Sequence, residues 1–427
     1  MTIAQQIAPP LAAPANTALP WEPPPGSSAQ PVAALTAPSI AGTNTVGATL
    51  TCTPGVYAGA PAPSVTRAWK RAGVAIGGAT ALTYVQVTAD AGAALTCVET
   101  AANAVNSTAS TSNTITTAPY NTVLPVLAGT SYAGGHPAVT VGTWAGATSY
   151  TYTLLVNGSA VLTAQTEATI EAYTYLLAQT GQAVIVRENA TGPGGTTSAD
   201  SAPVTLVYSL SSISNPIGWY ELRDATLSGG NVTALVDKSA QGNDLTIGGS
   251  GAEVTLAADA DYGGAVVGIL GGGKSLVRTT FTGGEVAQPT TIVWLGEFAT
   301  LPAAAYRYDG ETTRQANYVS SGAVNVYAGG SYSAGTISAD TVYAVMSIYN
   351  GASSTYYRGA SWATPAYTGN PGANGINGFR LGARQTATVP MTGRVAIAAV
   401  FAKAVSADDI AIIAGYLNQE FGQSITT

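Results

Sequence analysis

The stretch from Pro38 to Ala118 is repeated, in altered residues, by the stretch from Pro125 to Val207. The first copy reads VGATLTCTPGVY (46–57), AWKRAGVAI (68–76) and DAGAALTCVETAANA (90–104). The second reads AVTVGTW (138–144), LLVNGSAV (154–161) and QTGQAVIVRENATGPGG (179–195). Aligning Gly55 with Gly142, Gly73 with Gly158 and Gly92 with Gly181 places Cys52 on Val139, Trp69 on Leu154 and Cys97 on Val186. A position that accepts Cys, Trp and Cys in one copy and Val, Leu and Val in the other is a core position. A repeat of this length constrains the fold more than any single motif within it. It predicts two tandem β-sandwich modules ahead of a third domain, an organisation suited to display and adhesion.

The modules resemble the Ig-like domains of bacterial and phage structural proteins. The resemblance rests on the Cys52–Trp69–Cys97 spacing and on the G-x-x-L/V-T-x-x-x-G-x-Y/W pattern followed by a Gly turn. It implies a buried Trp packed against a link between two sheets. Cys52 and Cys97 are then either bridged or a pair of buried thiols. A bridge would close a loop of about 46 residues, worth roughly 4 kcal/mol in the chain-entropy model. A reducing compartment would leave both reduced. The second copy, with Val139 and Val186, needs no bridge.

Only 9% of the 427 residues are charged, against about a quarter in an average soluble domain. Ala, Thr, Gly, Ser and Val dominate, so hydroxyls and amides rather than charges keep the surface wet. The net charge is −7 and the fifteen basic residues are scattered. Nucleic-acid binding needs clustered Lys and Arg and is not expected. No apolar run reaches the 18 or so residues that span a bilayer, so membrane insertion is not expected either. The opening MTIAQQIAPPLAAPANTALP lacks the basic and apolar regions of a secretory signal. Synthesis in a cytoplasm is expected, followed by release with a virus particle or by export through a signal-less secretion system.

Residues 1–35 hold eight of the 23 prolines and one charged side chain, Glu22. Proline removes backbone donors and fixes φ, so neither a helix nor a central strand is expected there. The stretch reads as an extended arm tethering the chain to a partner, with Ile3, Ile7, Leu11, Leu19 and Trp21 as anchors.

The third domain spans 209–427. WYELRDATLSGGNVTALVDKSAQGNDLTI (219–247), TIVWLGEF (291–298), VYAVMSIYNGASSTYYRGASWA (342–363), GFRLGAR (378–384) and GRVAIAAVFAKAVSADDIAIIAGYLNQEFG (393–422) resemble a concanavalin/laminin-G-like jelly roll. The expected architecture is therefore all-β: two Ig-like sandwiches (36–118 and 119–208), then a jelly-roll head closing on a short helix. The helix also follows from the residues alone. Ser406 is a good N-cap and Asp408 and Asp409 suit the first turn. Ile410, Ile413, Ala414, Leu417 and Phe421 make one apolar stripe, and Gly422 is a helix stop.

Catalytic signals are missing. The one histidine, His136, reads as a surface loop residue, and there is no Ser–His–Asp order, metal-spaced His/Cys cluster or dinucleotide fingerprint. Lys274 follows GILGGG without the rest of a phosphate loop, and Glu297 stands alone on its strand, without the paired carboxylate strand of jelly-roll glucanases. Asp237, Asn243 and Asp244 could supply oxygens to Ca²⁺, but two carboxylates are few for such an ion. Capping of a tight turn is the favoured reading, so no cofactor is expected. The chain is not expected to be an enzyme.

Tyrosine is in excess, 22 against five Phe. An aromatic face with a polar handle suits both sugar stacking and protein interfaces. Tyr306, Tyr308, Trp362 and Tyr367 are the expected exposed loop set, and jelly rolls of the resembled family often bind glycans. Together these readings point to a multicopy bacteriophage-type virion surface protein: a head spike, decoration protein or tail-associated fibre. The arm would bind other virion proteins and the head would engage host surface polysaccharide. The alternatives are a purely structural decoration or cement protein, a bacterial surface adhesin and, less favoured, a glycan-degrading enzyme.

Overall fold

The structure, a computed structural model of the chain, describes residues 29–427. The arm anchors Ile3, Ile7, Leu11, Leu19 and Trp21 lie outside the described residues. The described chain is almost entirely β. It divides into two compact units. One holds the chain up to Pro125 with Val141–Tyr152 and Arg187–Asp200; the other holds Val126–Thr140, Thr153–Val186 and Ser201–Thr427. No helix among the described residues is long and apolar enough to cross a membrane.

In the first unit, strand Ser64–Arg71 pairs with Ala94–Ala102, placing Trp69 opposite Cys97. A facing sheet of Ser39–Ala41, Thr49–Thr53 and Thr83–Val85 supplies Ile40, Leu50 and Cys52 to the same core. The first strand of the module, Gln30–Thr36, begins inside the stretch expected to be arm. Pro31 and its neighbours can form a strand there because they pair only with Val56–Ala60, at an edge. Cys52 and Cys97 are free, buried thiols. Burial and the adjacent Cys52 push the Cys97 thiol up to about 12.

Within the first unit, one side chain and one close backbone approach join the first module to the segments Val141–Tyr152 and Arg187–Asp200. Asn44 Nδ2 donates to the carbonyls of Thr116 (3.1 Å) and Gly194 (2.7 Å). Gly92 lies so close to Gly146 that a Cβ on it would fall 2.8 Å from the Gly146 Cα.

In the second unit, Val139, Leu154 and Val186 are buried, as their alignment with the Cys–Trp–Cys set requires. The head in this unit is a jelly roll with a helix laid over one face. Its back sheet runs Tyr367–Gly369, Ser354–Arg358, Tyr343–Tyr349, Thr290–Phe298 and Thr392–Phe401. Beyond Thr392–Phe401, its two halves pair with Val266–Gly271 and Pro216–Glu221. The front sheet runs Ser331–Thr336, Ala323–Tyr327, Ala316–Ser320, Ala305–Asp309, Phe379–Leu381, Ser275–Arg278 and Leu245–Gly248.

Alternation explains the layers. Along Thr290–Phe298, Ile292, Trp294 and Phe298 face the front sheet, while Val293 and Leu295 face the helix Ala407–Phe421. A strand covered on both faces reads as an unbroken apolar run, as TIVWLGEF does. The helix starts as its sequence predicts: Ser406 Oγ accepts from Asp409 N, and Asp409 Oδ2 accepts from Ser406 N at 2.8 Å. It stops at Gly422, whose φ of 62° is a left-handed cap. Ile410, Ile413, Ala414, Leu417 and Phe421 are all buried under it.

Candidate functional site

The two outer faces of the head differ. The helix seals the back sheet, and the front sheet carries tyrosines on the face turned away from the core. In Ala316–Ser320 and Ala323–Tyr327, Val319, Val324 and Val326 point into the core. Period-two alternation therefore sends Tyr318 and Tyr327 outward, where both are half-buried. Tyr318 is paired in register with Tyr306, and the rings stack at 4.9 Å between centroids. Arg314 lies over this group, its Cζ 5.0 Å from the Tyr327 ring centre and 5.9 Å from that of Tyr306.

Arg314 is held by a forked pair to Asp309, Nη2–Oδ2 2.7 Å and Nε–Oδ1 3.0 Å. Asp309 also accepts from the Gln385 amide at 2.9 Å. On the neighbouring strand Arg380 Nε donates to Glu311 Oε1 at 2.8 Å. Two cations and two carboxylates are thus matched pair by pair. Burial raises the Tyr318 phenol above its usual value, so its hydroxyl stays protonated and can both donate and accept. The face offers aromatic edges, hydroxyls and a fixed guanidinium, with the exposed Ser331 and Ser333 alongside.

The expected exposed set is not formed. Tyr308 is wholly buried, its hydroxyl donating to Ser347 Oγ at 2.7 Å. The cause is a bulge: Tyr306 pairs with Tyr318 and Tyr308 with Asn317, leaving Arg307 as the extra residue and turning Tyr308 inward. Trp362 is 1% exposed, in the layer beneath the helix beside Tyr357. Tyr306 is buried against Tyr318. Tyr367 is half-buried in edge strand Tyr367–Gly369, packed on the inter-sheet core. Only Tyr306 belongs to the front-face group. Sequence reasoning missed Tyr318, Tyr327 and Arg314, although the alternation ANYVS and AVNVY carries the signal for the two tyrosines.

The remaining candidates are structural. Asp237 Oδ1 accepts from the amides of Trp219 (3.0 Å) and Ser239 (2.9 Å), and Oδ2 from Asn243 (3.0 Å). Asp244 Oδ1 accepts from the Asp237 amide at 2.8 Å, which makes this segment a stapled turn. Among the described residues no group of three or more His, Cys, Asp or Glu is arranged to hold a metal ion. Glu297 is bonded by Arg394 Nε at 2.6 Å, and Asp259 is held by the same guanidinium, at a cleft of about 360 Å³. Lys274 is paired with Glu253 at 2.5 Å. His136 is exposed, its Nδ1 2.9 Å from the Tyr173 carbonyl.

No protein-family model matches this chain, and neither does any curated protein. Among solved structures it is similar to domain 4 of an extracellular arabinanase from Geobacillus stearothermophilus in complex with arabinotriose. That alignment has a TM-score of 0.35 and 11% identity, covering 47% of this chain and 98% of that one. It is also similar to a Trypanosoma rangeli sialidase in complex with sialic acid (TM-score 0.33, 9% identity, 90% and 84% covered). A third likeness is to the botulinum neurotoxin type G receptor binding domain (TM-score 0.34, 12% identity, 48% and 52% covered).

Proposed function

We propose that this chain is a surface-display protein of a bacteriophage-type particle, and that its head binds surface polysaccharide through the front-sheet group Tyr306, Tyr318, Tyr327 and Arg314. The observation that carries the binding reading is the asymmetry of the head. One sheet is sealed by its helix, while the other holds the half-buried Tyr318 and Tyr327, with Tyr306 stacked on Tyr318, beside a fixed guanidinium and a row of hydroxyls. Aromatic rings with polar tips suit sugars, whose faces are apolar and whose rims are hydroxyls. Pairing of Arg314 with Asp309 and of Arg380 with Glu311 leaves no surplus charge in this group, which suits a neutral glycan. The particle reading is supported by the tandem modules and the low charge content. Many copies would turn weak sugar contacts into firm attachment.

The test is binding of the full chain to whole bacterial cells and to their purified surface polysaccharide. Binding that falls at least tenfold in Tyr318→Ala and Tyr327→Ala, with unchanged thermal unfolding, is the expected result. A folded chain that binds neither cells nor polysaccharide would leave the structural decoration reading in its place.

A further inference from the structure

Arg307 is the extra residue of the bulge in Ala305–Asp309, and it is wholly buried between the two sheets of the head. Among the described residues it forms no ion pair. Its Nη1 donates to Asn317 Oδ1 at 2.5 Å and reaches the Tyr356 hydroxyl at 3.4 Å. Its Cζ lies 5.0 Å from the Trp294 ring centre and 5.3 Å from that of Phe298. The cationic Arg358 acts on it as well, and repels its charge. A guanidinium does not shed its proton in proteins, so the positive charge stays in the interior.

Among the described residues, four buried nitrogens of Arg307 and the two side chains it touches lack a hydrogen-bond partner: Arg307 Nε and Nη2, Trp294 Nε1 and Asn317 Nδ2. All four are donors. Buried polar groups are ordinarily satisfied, and a buried charge is ordinarily paired. Ring faces attract the cation but accept little from its in-plane N–H groups. Asn317 already spends its oxygen on Arg307, so its free amide is held next to the same guanidinium. The partner that suits this donor set is an acceptor that carries negative charge and is small enough to sit among packed side chains.

We propose that the head holds a small monovalent anion with the chemistry of chloride, bound between the sheets by Arg307, Trp294 and Asn317. The ion would neutralise the one guanidinium and accept from the orphaned N–H groups. Its role is to fix the bulge that turns Arg307 and Tyr308 inward on the strand that also carries Tyr306. The site is independent of the glycan reading, and its test does not use a sugar.

The experiment is thermal unfolding of the full chain with chloride titrated against gluconate at constant ionic strength, joined to diffraction from bromide-soaked crystals. A ligand that binds only the folded state raises the melting temperature with its concentration. The expected result is a melting temperature that rises with chloride, a loss of that dependence in Arg307→Gln, and a half-saturating concentration several-fold higher in Trp294→Phe. Bromide should give an anomalous peak within hydrogen-bond distance of Arg307 Nε or Nη2. Identical melting in both salts, or crystals without that peak, would overturn the site. The bromide arm uses the unaltered protein and decides the matter even where Arg307→Gln fails to fold.

Discussion

Glu99 and Glu188 occupy the same position in the two Ig-like modules, and among the described residues only Glu99 is paired with a cation. Both side chains are fully buried, and each accepts from the amide of the aligned glycine, Gly55 at 2.9 Å and Gly142 at 2.8 Å. Arg67 completes the first site, with Nη2 at 2.5 Å from Glu99 Oε1. In the second, the aligned residue is Tyr152, whose hydroxyl lies 3.3 Å from Glu188 Oε1. One fold thus solves the same buried carboxylate by charge and by hydrogen bonding.

Removing the cation should expose the difference. Arg67→Ala is expected to destabilise the first module by about 3 kcal/mol, the low end for breaking a buried pair, because Glu99 stays behind unpaired. Arg67→Tyr, which copies the second module, should recover part of that loss. Urea unfolding followed by labelling of Cys52 and Cys97 reads this module alone, since the chain has no other cysteine.

Cys97 should be silent while the module is folded. With Cys97 pushed up to about 12 by burial and by Cys52, its thiolate is scarce at pH 8. Thiolate is the reactive form, so native labelling should run at least about a thousandfold slower than for a free thiol. Labelling at equal rates in native and unfolded protein would contradict this environment.

Gly146 should hold its segment against Ala91 and Gly92 within the first unit. Its φ is 74°, and a Cβ there would run into the backbone of Ala91 and Gly92. Gly146→Val is expected to cost at least about 1–2 kcal/mol from the left-handed conformation alone. It should also open the segment around Ala118–Asn121 to proteolysis. An unchanged cleavage pattern would mean that this backbone contact does not protect the segment.

The helix of the head should loosen in acid. Burial works against the Asp409 charge, but Lys403 at 2.6 Å and the Ser406 capping bonds outweigh it and hold the carboxyl below its usual range. A depressed carboxyl stabilises the fold above its unfolded pKa near 3.9, and that contribution disappears as pH falls through the lower folded value. Asp409→Asn should flatten the acid limb of a melting curve taken from pH 5 to pH 2. An equally steep limb in the variant would rule out this group.

Trp362 and Tyr318 should separate stability from binding. Trp362→Ala empties a site under the helix and is expected to cost about 3–5 kcal/mol, as aromatic truncations in cores do. Tyr318→Ala, at a half-buried outward position, should leave the melting temperature within a few degrees and act on glycan binding. Circular dichroism melts of both variants, run beside the binding assay, check the assignment.

The sequence made the architecture legible wherever two levels of signal agreed. The repeat carried both modules because its apolar positions survive the exchange of Cys and Trp for Val and Leu. The helix carried its own N-cap at Ser406, its stripe and its stop at Gly422. The turn at Asp237 was legible because Asp and Asn there bond their own backbone. The tyrosine face was not, for two physical reasons. A bulge at Arg307 breaks the alternation, so Tyr306 and Tyr308 diverge although their spacing says they agree. The helix also buries the outer face of the back sheet, which hides Trp362 in a stretch that reads as a loop. Glu99 and Glu188 align in the repeat, but a buried carboxylate announces itself only through its partners, which the sequence does not show.

The order of strands in the head bears on how the chain is made. Strand Thr392–Phe401 sits between Thr290–Phe298 on one side and Pro216–Glu221 with Val266–Gly271 on the other, yet it is translated more than a hundred residues after any of its neighbours except Thr290–Phe298. Until it leaves the ribosome, Trp219, Val293 and Leu295 have neither their central strand nor their helix to bury them. Both Ig-like modules can close on the nascent chain well before that, since each draws on nearby segments. The newly made protein therefore passes through a stage with two finished modules and an open apolar head, the interval in which it most needs protection from its neighbours.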